Sequence, residues 1–545
     1  MKHILVICNL FFVQQLIAQP TVGLKTYDAS ISYEGMTLFD PLADPGTYLI
    51  DNCGKLVHSW QSAYKPRLSS YLLENGNLLR TCKGGAENPA FNQANPVGRV
   101  ELLDWNSTVL WSYVFSNDTL LQHHDIEPMP NGNILILAWD MMNNQQALDA
   151  GRNPALLPDN MLWPDEIIEI EMVGTDQINE VWRWRFQDHL IQDFDSNKDN
   201  FGVVADHPEL VDINVVNNNG AADWIHGNSI AYNADRDEIV ISSRKLSEIY
   251  IIDHSTTTEE AAAHLGGNKG KGGDFLYRWG NPEVYDHGSS SDRKLYGQHD
   301  AHWIPDGYPD EGKIIMFNNG RDRTPFEYST VDIIQPPMIG ADYEYTGSAY
   351  GPDVESWSYQ NVGADTLFAS FISGAHQLPN GNVLFCDGPA GTLYEVDASG
   401  SIGWEYVVPV NSNGPITQGN SPTGTNTFRA RRYALDYPGL IGDLTPGEPI
   451  EINPGQNSCE PEYVNILSPA DNEFELYPNP STGVFYFEGE PNVNSVEVFN
   501  TFGSLILKVD NNLSKLDLAH LPTGVYHLVI NSKNGLFTKN VVVGR

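Results

Sequence analysis

Six short aromatic segments built around tryptophan recur along the chain, and none of them can bury both of its faces alone. They are His58-Ser59-Trp60, Leu110-Trp111-Ser112-Tyr113, Val181-Trp182-Arg183-Trp184, Tyr277-Arg278-Trp279, Ser356-Trp357-Ser358-Tyr359 and Gly403-Trp404-Glu405-Tyr406. Between them a second device repeats: a turn followed by an apolar strand. It is clearest at Pro130-Asn131-Gly132-Asn133 before Ile134 to Leu137, at Pro379-Asn380-Gly381-Asn382 before Val383 to Phe385, and at Glu74-Asn75-Gly76-Asn77 before Leu78-Leu79. Asn-Gly flanked by alternating apolar residues predicts a hairpin with a type I′ turn. Degenerate copies follow His226-Gly227-Asn228-Ser229 (Asn233 to Asp237) and His299-Asp300-Ala301 (Pro305 to Lys313). A ring of such units buries each sheet against its neighbours, so the expectation is an all-β chain, a six-bladed β-propeller over 19–442. N-terminal strands such as Gly46 to Ile50 are expected to help close the ring.

The ends of the chain read differently. Lys2 and His3, the apolar run Ile4 to Val13 and Leu16-Ile17-Ala18 predict a signal peptide over 1–18, with an apolar core too short for a membrane span. From Asp443 the chain becomes rich in Pro, Gly and Asn, which predicts a linker over 443–472. A small C-terminal β-sandwich is expected over 473–545, around Leu476-Tyr477-Pro478-Asn479-Pro480-Ser481-Thr482-Gly483 and Leu521-Pro522-Thr523-Gly524-Val525-Tyr526. These motifs resemble the sorting domain of cargo for the type IX secretion system. The resemblance implies export through the periplasm, a secreted or cell-surface protein, and that secretion machinery as a partner.

The formal charge of −39, from 31 Lys and Arg against 70 Asp and Glu, argues against nucleic acid or an anionic membrane as partner. An anionic substrate needs a recessed, locally basic pocket in such a molecule. After loss of Cys8, the cysteines Cys53, Cys82, Cys386 and Cys459 lack metal-ligand spacing; Cys53 and Cys82 share one early repeat, so either a disulfide between them or free buried thiols fits.

Histidine is not a requirement of hairpins, yet His124, His226, His299 and His376 all stand ahead of the repeated strands. Loops on one face of a propeller converge on its axis, so these imidazoles are expected in one funnel. Arg244 closes the strand after the His226 hairpin, and Arg321 and Arg323 stand in the analogous place after the His299 hairpin. Arginines beside histidines make an oxyanion pocket suited to sulfate, phosphate or carboxylate.

Trp224-Ile225-His226-Gly227-Asn228-Ser229 with Ser242-Ser243-Arg244, and Gly297-Gln298-His299-Asp300, are similar to motifs of bacterial arylsulfate sulfotransferases, with the likeness running from about Tyr33 to Leu440. The resemblance implies transfer of a sulfuryl group from an aryl sulfate to a phenolic acceptor through a sulfated histidine, without nucleotide or other cofactor. It implies His299 as nucleophile, with His124, His226, Asn228 and Arg244 around the transferred group; Asp300, Arg321 and His376 are expected to help bind substrate, Asp300 orienting the His299 ring.

Two other readings stand beside it: a metalloenzyme using the histidines as ligands, and a non-catalytic surface propeller that binds glycans or peptides through Trp182, Trp184, Trp279 and Tyr277. Asp193 to Asp199 spaces oxygen ligands like a calcium loop but lacks its sixth-position Gly and distal Glu, and Gly266 to Gly273 lacks the Gly-Lys-Ser/Thr of a phosphate loop, so no metal or nucleotide is expected there.

Overall fold

The computed structural model describes residues 20–84, 88–91, 98–215, 221–363, 366–455, 459, 475–488, 493–500, 505–532 and 535–544. The expected signal peptide lies outside them.

Six four-stranded antiparallel sheets form the blades. Their innermost strands are β1 (Pro66–Leu72), β2 (Leu120–Pro128), β3 (Gly227–Asn233), β4 (His299–Trp303), β5 (Gly374–Gln377) and β6 (Thr427–Ala434). β1 contacts β2 and β6, β3 contacts β2 and β4, and β5 contacts β4 and β6, which closes the ring. Closure mixes the two ends of the propeller: β6 pairs with Gly35–Pro41, and Gly46–Ile50 and Leu56–Gln61 complete that blade, while Gly23–Tyr27 adds a fifth strand outside Ile402–Val407.

The tryptophan segments are the fourth strand of every blade. Trp60, Trp111, Trp184, Trp279 and Trp404 are buried there, so the glycan-stacking role considered for the aromatic strands has no exposed face at Trp182, Trp184, Trp279 or Tyr277. Hydrophobic clusters join neighbouring sheets, as where Trp60, Leu38, Leu78 and Leu103 pack together, or Trp184, Trp224, Tyr250 and Phe275. Burying each such side chain contributes about 1.5–3 kcal/mol, which is what makes a ring of individually inadequate sheets stable.

The hairpin turns differ from the expected type I′. At Met129–Asn133 the Gly132 N–H donates to Met129 O and the Met129 N–H to Asn133 O; the same pair of bonds recurs at Leu73–Asn77 and Leu378–Asn382. Of each Asn-Gly pair only the glycine has positive φ, at 82°, 89° and 88° for Gly76, Gly132 and Gly381. This is a type I turn closed by a left-handed glycine bulge, and Pro130 and Pro379, whose rings fix a negative φ, suit its first central position.

The first part of the expected linker lies along the propeller. The Gly447 N–H donates to Leu56 O, Leu56 N–H to Glu448 O and Ile452 N–H to Ile416 O. Cys53 is bonded to Cys459, with Cα atoms 5.6 Å apart. This corrects the Cys53–Cys82 pairing: Cys82 is a buried free thiol beside Glu101, and Cys53 reaches across the sequence to the tail instead.

The C-terminal module is a small β-sandwich. One sheet holds Glu475–Tyr477, Val484–Glu488 and Lys515–Asp517; the other holds Leu505–Leu513, Val493–Phe499, Gly524–Ser532 and Gly535–Val543. Phe485, Leu516, Val496, Val498, Leu528 and Val541 fill the space between them.

Candidate active site

The innermost strands enter the ring from one end, and irregular register near their starts turns side chains toward the axis. The shifts fall between Pro66 and Ser70 on β1, Gly227 and Ser229 on β3, and His299 and His302 on β4, and opposite Ile136 and Ala138 on β2. His124 (φ 51°), His226 (φ 56°) and Asp300 (φ 60°) adopt left-handed backbone there. Such a conformation is costly for a side-chain-bearing residue and is retained where the surroundings over-determine it, commonly at binding sites.

This geometry brings three of the four expected histidines together. The His124 and His226 rings meet edge to face at 4.6 Å between centroids. Phe428, at the start of β6, presents its ring to both His299 (6.0 Å) and His124 (6.5 Å). His376 is elsewhere: it lies three residues before Pro379, whereas His124 lies six before Pro130, so His376 falls further along its strand. Its Nε2 accepts from the Arg432 N–H, and its charged neighbours are Arg431, His302 and Arg432.

Each cup histidine is held through Nδ1. His299 Nδ1 lies 2.7 Å from Asn319 Oδ1. The Asn319 Nδ2 donates to Ala369 O (2.7 Å) and Ile372 O (2.8 Å), so the amide has one orientation and its oxygen must accept. His299 therefore carries its proton on Nδ1 and presents the Nε2 lone pair. His226 Nδ1 lies 2.6 Å from Asp223 Oδ2, which also meets Lys245 Nζ at 3.0 Å. Burial raises the Asp223 carboxyl, but His226 and Lys245 outweigh it and hold the group well below the ordinary carboxylate range. His124 Nδ1 is 2.9 Å from His123 Nδ1, and His123 Nε2 is 2.7 Å from Asp165 Oδ1, a close contact whose angle is not that of a hydrogen bond.

Burial, reinforced by the Arg244 charge and opposed by the Asn319 bond, pushes His299 well below its ordinary value. Burial and the neighbouring His226 and His123 do the same to His124. Both rings are neutral at neutral pH.

Arg244 is tied to this cluster by its backbone, the N–H donating to His226 O at 3.1 Å. Its guanidinium makes no ion pair among the described residues, and burial together with Arg321 weakens its hold on the proton. Arg321 is exposed, and Arg323 lies over the Tyr328 and Tyr296 rings. Asn228 is buried, and its Nδ2 donates to Gln298 O at 2.6 Å, fixing the peptide that leads into His299.

Asp300 does not orient His299, and that expectation is corrected. It meets Arg429 Nη1 at 3.1 Å, while Arg429 Nη2 meets Asp125 at 3.0 Å, so one guanidinium ties two buried carboxylates across the axis beneath the cup. The carboxylate next in sequence points down the channel, and an amide twenty residues on takes the orienting position. Beyond this tie lies a cavity of about 460 Å³ lined by Glu127, Tyr232, His302, Arg429 and Arg431. None of the three cup histidines lines it.

Sequence reasoning missed Arg67, Asp223, Asn319 and Phe428. Asp223 was within reach, three residues before His226; Arg67, Asn319 and Phe428 arrive from other repeats. Among the described residues the metal-ligating groups that close together are His189, His264 and Asp274, away from the cup, where one Asp274 oxygen lies 2.8 Å from Nδ1 of each histidine. In the stretch Asp193 to Asp199, whose spacing is like a calcium loop's, Asp195 Oδ1 caps the Asn197 N–H and Gln192 binds the Asp195 and Asp199 carbonyls.

The family model described as arylsulfotransferase (ASST) matches residues 21–406, from the start of the propeller into Ile402–Val407, short of β6. The chain belongs to the arylsulfotransferase family. Residues 475–544 match the secretion system C-terminal sorting domain, which marks this arylsulfotransferase for export as a secreted or cell-surface protein. No curated protein matches. Solved structures of similar shape include a protein of unknown function from Bacteroides caccae (10% identity, 69% of this chain and 94% of that one, TM-score 0.37). A streptogramin B lyase structure (11%, 77% and 96%, TM-score 0.34) and the Cps50 (Swd1) β-propeller domain of Myceliophteria thermophila (12%, 70% and 89%, TM-score 0.33) are others. Likeness at this level does not bear on what the arylsulfotransferase does. No helix is long and apolar enough to cross a membrane among the described residues.

Proposed function

We propose that this arylsulfotransferase moves a sulfuryl group from an aryl sulfate to a phenol through a covalent intermediate on His299 Nε2. The observation that carries the reading is the Asn319 contact, which leaves a neutral, oriented imidazole with its lone pair beside an arginine that forms no ion pair among the described residues.

In the first half-reaction His299 Nε2 attacks sulfur, the N–S bond forms and the bond from sulfur to the aryl oxygen breaks, its electron pair leaving with the phenolate. His226, backed by Asp223, gives the departing oxygen a proton. In the second, an acceptor phenol gives its proton to His226 and attacks sulfur, and the N–S bond breaks to restore His299. Arg244, with Arg321 nearby, faces the charge on the non-bridging oxygens, where a desolvated cation is worth far more than in water. Neutral His124 packs edge to face against His226.

Steady-state kinetics with an aryl sulfate and a phenol, without any nucleotide, test this reading. Parallel double-reciprocal lines and loss of transfer in His299→Ala are expected. Intersecting lines, or an undiminished His299→Ala, would overturn the nucleophile assignment.

A further inference from the structure

The basic groups around the cup fall into two sets, and only one is needed for the transferred group. The Arg244 charge acts on His299, and that of Arg321 acts on Arg244. On the other flank, at the start of β1, stands Arg67, whose charge acts on His124. Ser69, two residues on, donates its hydroxyl to His124 O at 3.1 Å, and Leu68 packs with Ile372 and Phe428, so this end of β1 forms part of the cup wall.

Arg67 has no carboxylate partner among the described residues, and its Nε is buried without an acceptor. Burial alone accounts for the weakening of its guanidinium. Lys83 stands close by, its ammonium pushed down by burial and by the charges of Arg67 and Lys65. In a chain of formal charge −39, a set of mutually repelling cations with no ion pair among the described residues is unfavourable unless an anion completes it. A sulfuryl group bound by Arg244 and Arg321 leaves this second set empty.

We propose that Arg67 and Lys83 hold a second anionic substituent, a carboxylate or sulfate, carried by the phenolic acceptor. The inference rests on the sulfuryl-transfer reading and narrows its substrate class to phenols that are anionic away from the reacting oxygen.

Three acceptors of one shape test it: 4-hydroxyphenylacetate, 4-methylphenol and tyramine, with tails that are anionic, neutral and cationic, and 4-hydroxybenzenesulfonate, which has no ester bond to donate, to separate a sulfur oxyanion from a carboxylate. Binding to the full-length protein is measured by calorimetry, and transfer from 4-nitrophenyl sulfate by product analysis. The anionic phenols are expected to bind about tenfold or more tighter than 4-methylphenol and to show correspondingly lower KM, with tyramine weakest. Arg67→Ala brings the affinity ratio of anionic to neutral phenols close to one, and Arg67→Lys retains much of the preference. Equal binding of anionic and neutral phenols, or a preference that survives Arg67→Ala, overturns the inference. Preferential binding without transfer upholds the anion site and instead overturns the sulfuryl-transfer reading.

Discussion

His299 Nδ1 lies 2.7 Å from the side-chain oxygen of Asn319, and the two carbonyl partners of the Asn319 amide nitrogen leave that oxygen no other orientation. The tautomer of the proposed nucleophile is thus set by a neutral amide, where a carboxylate would have attracted a second proton to the ring. Asn319→Ala is expected to lower kcat about 10- to 100-fold with little change in KM, as removal of an orienting partner does elsewhere. Single-turnover rates with excess enzyme check this.

Asn319→Asp tests the same contact through pH. In the native protein the depressed His299 pKa keeps the ring neutral as pH falls through 6.5, where an ordinary imidazole is half protonated. With 4-nitrophenyl sulfate, whose leaving phenolate needs little protonation, the first half-reaction should stay level from pH 8 to below 6.5. A carboxylate at 319 favours the protonated ring, so the acid limb should move upward. Rapid-mixing measurements of nitrophenolate release across this range read both.

The propeller was legible because its signals are local. Trp60, Trp111, Trp184, Trp279 and Trp404 each lie on the outer strand of their own blade, and the Asn-Gly turns each close a hairpin of neighbouring strands. His124, His226 and His299 were legible for the same reason, since His226 and His299 open inner strands and His124 stands at the irregularity midway along one. His376 differs in standing three residues, not six, before its turn, which carries its side chain away from the cup to Arg431, Arg432 and His302. Asn319, Arg67 and Phe428 could not be placed from the sequence, because their neighbours are set by how far each strand penetrates the ring and where closure brings β6.

Asp223 backs His226 at 2.6 Å, and the proposed proton transfer depends on that support. Asp223→Asn is expected to slow release of unactivated phenols by about 100-fold or more while sparing nitrophenolate, which leaves without a proton. A series of aryl sulfates of rising leaving-group pKa, compared in native and variant enzyme, gives a steeper dependence in the variant.

Arg429 ties Asp125 to Asp300 beneath the cup with all three side chains buried. Arg429→Met leaves two uncompensated carboxylates about the axis and should cost about 3–5 kcal/mol. Denaturant unfolding monitored by the buried tryptophans measures it; a loss under 1 kcal/mol would mean that water already satisfies the carboxylates.

The covalent intermediate is the centre of the account. The most direct measurement is the intact mass of the protein after mixing with 4-nitrophenyl sulfate alone, followed by peptide mapping under conditions that preserve the labile N–S bond. A single added sulfuryl group on His299, formed with one equivalent of nitrophenolate and discharged when a phenol is added, is the predicted result. Nitrophenolate release with no mass change, or a sulfuryl group on His124 or His226 instead, would contradict it.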